Sequence, residues 1–224
     1  MMKTFLSILA VFMTSLAAAA EGGAGPAGVS LPAPLKAGAM SLEEALAQRR
    51  SVREFVPGAL TLAEVSRLVW AAQGATKPEG RTAPSAGATY PLEVYLAVGE
   101  VKGLAAGVYR YLPRAHRLET VTDGDMRRPL AAAAVDQQWI GRAALVVVIA
   151  AAFERTTARY GRRGERYVHM EAGHAAQNLL LEATALGLGA TPVGAFNDAE
   201  VSRLLHLPGG ETPLYLIPVG HKSK

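Results

Sequence analysis

One stretch limits the possible folds more than any other: Tyr167 to Phe196, YVHMEAGHAAQNLLLEATALGLGATPVGAF. Val168, Ala172, Ala175, Leu179, Ala183 and Leu186 recur at spacings of 4, 3, 4, 4 and 3, the seam of an amphipathic helix packed on a core. Ala176, Leu180, Leu181 and Ala185 lie outside that seam, so the second half of the helix is apolar nearly all round. In a soluble chain such a helix is buried on more than one side, and a second packing surface is required. Ala172, Gly173, Ala175 and Ala176 are small enough for another helix to approach closely, which points to a dimer or domain-core helix. Gly187 suits the left-handed position that ends such a helix, and Gly189 and Pro192 prevent its resumption. The chain is then expected to continue as a short strand over Thr191 to Phe196.

The elements around it read more weakly but consistently. Ser41 with Glu44, and Thr61 with Glu64, have the spacing of capping boxes, opening one helix to about Arg49 and another to Gly74. Gln73 to Tyr90 reads as a loop, Leu92 to Val98 as a strand, and Gly107 to Leu112 with Arg117 to Val121 as a hairpin. Asp123 is a candidate cap for a helix to Ala134, and the Val-rich run Ala143 to Ala152 predicts a central strand. A basic segment, Arg155 to Arg166, precedes the long helix; a short helix near Glu200 to Leu205 and a strand at Leu214 to Val219 follow it. Helices and strands mix without a βαβ rhythm, so α+β is expected.

Length allows one sizeable core: 224 residues, half of them hydrophobic, are too few for two comfortable domains. Met1 to Ala20 combines Lys3, an apolar run from Phe5 to Leu16 and Ala18-Ala19-Ala20 before Glu21, the pattern of a cleavable secretory signal whose apolar part is short for a membrane span. The expected organisation is a signal peptide over 1–20, a Gly/Ala/Pro-rich linker or extended arm over 21–40, and a folded domain over 41–224, exported and periplasmic. Losing residues 1–20 removes only Lys3, leaving 22 basic side chains against 19 acidic, a net of +3. That permits an anionic ligand but falls short of a nucleic-acid footprint. With no cysteine, disulfides and thiolate metal sites are excluded.

Three stretches carry candidate chemistry. RRSVREF, Arg49 to Phe55, sets three guanidinium groups and a hydroxyl within five residues at a helix end; it is either a solvated basic terminus or a phosphate site, since guanidinium binds phosphate bidentately and keeps its charge. Pro84-Ser85-Ala86-Gly87 is either a plain turn or a loop bare enough for close approach to a flat ligand. Pro192-Val193-Gly194-Ala195-Phe196 offers the same bareness after the long helix. Glu171 and His174 have the spacing of a di-iron half-site, but no second copy exists, and His169 and His174 miss the i, i+4 spacing of helical zinc pairs.

In this order RRSVREF, PSAGATYPLEVYLAV, GVYRY, RYGRRGERYVHMEAGHAAQNLLLEATALGLGATPVGAF and PLYLIPVG resemble the flavin-dependent nitroreductase family, most closely its SagB-type dehydrogenase branch, over about Ser41 to His221. The resemblance implies a nitroreductase-like α+β fold, a mostly antiparallel sheet flanked by helices, that forms a homodimer through a long buried helix and holds one FMN at each end of the interface. Position by position, Arg49, Ser51 and Arg53, with Arg50 beside them, would hold the FMN phosphate and ribityl chain. Pro84, Ser85 and Gly87 would reach the flavin bound mainly by the partner subunit. Gly194 and Ala195 would set backbone beside the ring, and His221 and Lys222 would add a basic phosphate contact.

The implied activity is an FMN-dependent oxidoreductase acting by ping-pong hydride and electron transfer on a small organic acceptor, the redox chemistry belonging to the flavin. Azoline-oxidising members of the branch carry a Lys-Tyr pair upstream of the long helix; the match here is Arg159-Tyr160, which lacks the lysine and leaves Tyr160 as the candidate catalytic side chain. Arginine is too basic to serve as a general base near neutral pH. The alternatives are an exported flavin- or anion-binding protein without turnover, and an azoline-type dehydrogenase of a peptide. No metal, nucleic-acid partner or stable membrane span is expected. Export would also separate the protein from cytoplasmic NAD(P)H and call for another donor, a quinol or a partner protein.

Overall fold

A computed structural model describes residues 28–34, 38–76 and 79–223. The expected signal peptide lies outside them. Seven strands form one sheet in the order β1-β4-β3-β2-β5-β7-β6, every neighbouring pair antiparallel. The strands are β1 (Gly28–Ser30), β2 (Leu92–Val98), β3 (Gly107–Leu112), β4 (Arg117–Asp123), β5 (Leu145–Ala152), β6 (Gly189–Ala190) and β7 (Glu211–Gly220). The helices are α1 (Leu42–Gln48), α2 (Leu62–Gln73), α3 (Arg127–Ala133), α4 (Glu154–Tyr160), α5 (Arg163–Ala185) and α6 (Asp198–Leu204). This is the α+β class expected.

Both sheet faces are covered, which explains the unbroken apolar run in β5. Leu145, Val147, Ile149 and Ala151 point into a core shared with α2 and α5, while Val146, Val148 and Ala150 point into a second core shared with α3 and α6. A strand buried on both faces loses the apolar–polar alternation of a half-exposed one.

Both capping boxes form: Ser41 Oγ accepts the Glu44 amide, Thr61 Oγ1 accepts the Glu64 amide, and each glutamate returns a bond to its cap. The long helix α5 buries Val168, Ala172, Ala175, Leu179 and Ala183 of the expected seam, with Leu186 half-buried. It starts at Arg163, ahead of Tyr167. Its end is a Schellman closure: Leu188 N–H donates to Ala183 O (2.8 Å), Gly187 N–H to Thr184 O (2.9 Å), and Gly187 takes φ 72°. Of the small residues expected to admit another helix, Ala172, Ala175 and Ala176 are consumed inside the chain; only Gly173 leaves open space at its Cβ position.

Two local expectations are corrected and two are filled in. Asp123 is the last residue of β4 and caps no helix; Asp125 takes that work, its Oδ1 accepting the Arg127 amide at 3.0 Å. The strand after the long helix is Gly189–Ala190, and Thr191 to Phe196 is irregular except where Val193 bridges Leu216. The basic segment forms α4 and the first turn of α5, parted by Gly161 at φ 56°. Within the stretch read as a linker or extended arm, Gly28–Ser30 pairs with β4, so regular structure among the described residues begins upstream of Ser41.

Candidate functional site

The segment after α1 is held as an extra edge beside β6. Arg49 ends α1 with extended backbone (φ −54°, ψ 125°), Val52 N–H donates to Ala190 O (3.1 Å), and Val56 N–H donates to His221 O (2.9 Å). Because side chains alternate along extended backbone, Arg49, Ser51 and Arg53 share one side and Val52 takes the other. Val52 packs against Gly189, where a Cβ would stand 2.6 Å from Val52 Cγ1 and 3.3 Å from Lys222 Cβ. His221 follows directly on β7. The fold thus gathers Arg49, Ser51, Arg53, His221 and Lys222 at one end of the sheet edge. Arg50 differs: its Nη1 donates to Ala47 O and Arg49 O (2.9 and 2.8 Å), closing the end of α1. Arg53 lies over the Trp139 ring, 5.9 Å from its centroid.

Gly194 and Ala195 continue along the same edge. Val193 and Leu216 exchange both backbone bonds (2.8 and 3.0 Å), which sets Gly194 four β7 residues from Gly220, roughly 13 Å at about 3.3 Å per residue. Both residues are exposed, a Cβ on Gly194 would meet nothing within 4 Å, and Ala195 O accepts from Gln137 Nε2 at 3.3 Å. A basic cluster and a bare backbone ledge therefore share one edge.

The Pro84–Gly87 loop is elsewhere. It leads into β2, whose Leu92 pairs with Ala151 at the far end of β5, whereas the basic cluster adjoins Val219, opposite Leu145. The two groups are about 20 Å apart along β5 at roughly 3.3 Å per residue. Within the loop Gly87, Ala88 and Tyr90 all take positive φ (59°, 54° and 46°), a conformation that costs ordinary residues about 1–2 kcal/mol each. Clamps offset that strain: Arg159 Nη1 donates to Gly87 O (3.0 Å), Arg155 Nη1 to Tyr90 O (3.0 Å), Thr89 and Thr156 hydroxyls meet at 2.8 Å, and Ser85 Oγ accepts the Tyr90 amide at 2.9 Å. A Cβ on Gly87 would stand 2.5 Å from the Tyr160 hydroxyl and 2.8 Å from Arg159 Nη1, so any other residue would push these two side chains aside. Tyr160 stacks edge-on against Tyr167 (5.2 Å) and beneath Arg159.

Under the loop lies a residue to which the sequence alone assigns no role. Glu171 of α5 is 3% exposed, its Oε1 has no hydrogen-bond partner, and burial pushes its carboxyl up to about 7, with the Ser85 hydroxyl pulling the other way. The signal was available: Glu171 is three residues after Val168 and four before Ala175, a carboxylate on the buried seam. Among the described residues no three His, Asp or Glu side chains come close enough to hold a metal, and no helix is long and apolar enough to cross a membrane.

The family model described as "Nitroreductase family" matches residues 46–221. The chain belongs to the nitroreductase family. A Methanocaldococcus jannaschii protein described as a nitroreductase is 50% identical over 184 residues, 82% of this chain and 92% of the relative. The Escherichia coli microcin B17-processing protein McbC is 32% identical over 134 residues, 57% of this chain and 48% of McbC, so the match spans about half of that relative. A solved nitroreductase structure from Ralstonia eutropha JMP134 superposes with a TM-score of 0.78 at 32% identity, covering 88% of this chain and 90% of that one. The fold is nitroreductase-like, and oxidoreductase chemistry comes with the family.

Proposed function

We propose that the chain is an FMN-dependent oxidoreductase of the SagB-type branch that works as a homodimer, by ping-pong hydride and electron transfer to a small organic acceptor. The observation that carries this reading is the convergence of Arg49, Ser51, Arg53, His221 and Lys222 at one end of an edge whose other end is the bare Gly194–Ala195 backbone. The donor set suits a dianionic phosphate. Among the described residues Arg49, Arg50 and Arg53 form no ion pair with a carboxylate, so their charge is available to a ligand.

When bound, FMN supplies reversible hydride chemistry at its N5. Arg49, Arg53, His221 and Lys222 would bind its phosphate, Ser51 its ribityl chain, and the Gly194–Ala195 backbone would set the ring. Arg50, engaged with α1, assists only by fixing the end of the helix from which the segment departs. The Pro84–Gly87 loop is too far to complete the site in its own chain, which supports its use against the flavin of a second copy. Tyr160, whose hydroxyl adjoins Gly87, would then orient a substrate beside that flavin.

The FMN reading is tested by binding. FMN should bind with a flavin spectrum and release on denaturation, and Arg49→Ala with Arg53→Ala should weaken FMN by 100-fold or more, about 2.7 kcal/mol, while changing riboflavin affinity little. A protein that binds neither flavin ends this reading. Turnover separates it from a flavin carrier: bound flavin that no donor reduces would favour carriage.

The similarity to McbC supports a second substrate class, dehydrogenation of a peptide azoline. Against it, Arg159 stands where that activity has lysine, and its guanidinium is engaged with Gly87 O. We also infer export through the 1–20 segment, with a quinol or partner protein as donor. An intact Met1 recovered from the cytoplasm would refute export.

A further inference from the structure

The FMN reading leaves Glu171 unused, a carboxyl sealed inside α5 with one oxygen unpartnered. Buried carboxyls are normally paired, so a carboxyl this deeply buried with one oxygen unpartnered calls for an explanation. Directly above it is the most strained stretch of backbone near the candidate site, where Ala88 and Tyr90 join Gly87 in the left-handed region. Ser85 links the two: its oxygen accepts the Tyr90 amide, and its hydroxyl is the polar group that acts on Glu171.

We propose that Glu171 is a positioning residue: buried and neutral beneath Ser85, it lets the Pro84–Tyr90 loop close in its left-handed form, and loss of its proton leaves a charge that the Ser85 hydroxyl alone does not offset, which draws water in and loosens the loop and its grip on the FMN of a second subunit. This rests on the FMN reading for its consequence, not for its mechanism.

Among the described residues the surroundings give an anionic Glu171 no compensating positive charge. From α4, Arg159 and Tyr160 turn to Gly87, Arg155 to Tyr90 O and Glu93, and Thr156 to Thr89. On α5 itself His169 and His174 are exposed, and α2 brings neutral Gln73. The sheet turns aliphatic Val94, Leu96, Val147 and Ile149 and the half-buried Tyr215 toward this core, while Glu93 projects to the other face, held by Arg110 and Arg155. A proton lost from Glu171 therefore leaves a buried charge answered only by a hydroxyl, and moving the loop to admit water is the accessible relief.

The test measures the loop and the ligand separately in the full chain, wild type and Glu171→Gln, from pH 5.5 to 8.5. Protection factors for the amides of Ala88, Thr89 and Tyr90, which donate to Ser85 O, Ala86 O and Ser85 Oγ, should fall in the flavin-free protein at least tenfold through pH 7 in wild type and stay level in Glu171→Gln. The FMN dissociation constant should rise at least tenfold over the same range in wild type alone. Level protection in wild type, or a Gln variant that tracks wild type, would overturn the proposal. If Glu171→Gln does not fold, carbon-13 titration of the wild-type carboxyl decides: a midpoint in the ordinary carboxylate range overturns it, and one near 7 that coincides with the loop transition sustains it. Absence of FMN binding at every pH would sink the flavin reading while the protection factors still judge Glu171.

Discussion

At the residue scale the chain shows how burial turns one carboxyl into a pH-dependent liability. Glu171 has a folded-state value near 7 against an unfolded value near 4.5. The native state therefore binds the proton more tightly, and the group's contribution is fully present below about pH 4.5 and is lost as pH rises through 7. The full effect is on the order of 3 kcal/mol for a group this buried. Glutamine has no proton to lose, so Glu171→Gln should match wild type in urea unfolding near pH 5 and exceed it by up to about 3 kcal/mol at pH 8. An unchanged difference between the two pH values would show that Glu171 titrates normally. Arg127 is the contrasting case, a buried guanidinium bonded to Asp125, Glu100 and Ala143 O, for which the same burial is fully answered.

At the scale of elements, the end of α5 decides where the ledge begins. Gly187 takes φ 72°, and a Cβ there would meet nothing within 4 Å, so substitution costs backbone strain alone. Gly187→Ala should lower stability by about 1 kcal/mol, a fall of roughly 2–4 °C in Tm for a chain of this size, and Gly187→Asn by less, since asparagine tolerates the left-handed region. Equal losses for the two would point to a lost contact instead. This element was legible from sequence because its period, glycine stop and following proline all state the same thing. So were β2 and β3, read to the residue, and the two capping boxes. The misses have physical causes. β1 is written in Gly, Val and Ser within a Gly/Ala/Pro stretch, so only pairing with β4 makes it a strand. α4 has no apolar stripe; Thr156 is its only buried residue, and Arg155 and Arg159 secure it through loop carbonyls that sequence cannot reveal. The same holds for the site: the basic segment and the ledge were readable as motifs, but that Arg50 turns back to α1, and that the Pro84–Gly87 loop lies at the opposite end of the sheet, follow only from topology.

For the whole molecule, that separation is the central fact. One chain carries the basic cluster at the Leu145 end of β5, the ledge beside its middle, where Leu216 pairs with Val148, and the strained loop at the Ala151 end, so on the proposed reading the cluster and the loop are halves of different sites. A second copy related by a two-fold axis would repeat each half and join unlike ones twice. On the proposed reading α5 supplies the surface for that contact. Met170, Gly173, Gln177, Leu181 and Ala185, at spacings of 3, 4, 4 and 4, form one stripe that the chain's own core leaves partly uncovered, with Met170 exposed and the other four partly buried. Beside its C-terminal half a groove of about 340 Å³ runs between α5, Trp70 of α2 and Leu42 of α1, and Leu42, Leu46 and Met170 are 61%, 53% and 53% exposed. A groove with apolar lining beside exposed apolar side chains suits a face covered by a partner. If this face joins two copies, charges at Met170 on the stripe and at Leu46 on α1 should separate them without disturbing the fold, because both side chains are more than half exposed on the single chain. On the homodimer reading Leu46→Asp with Met170→Asp should sediment as a monomer, keep its circular dichroism, and lose at least 100-fold in FMN affinity, since each basic cluster would then lack the partner loop proposed to close over it. A monomer that still binds FMN as tightly as the parent would mean that one chain suffices, and the distance between the two ends of β5 would need another explanation.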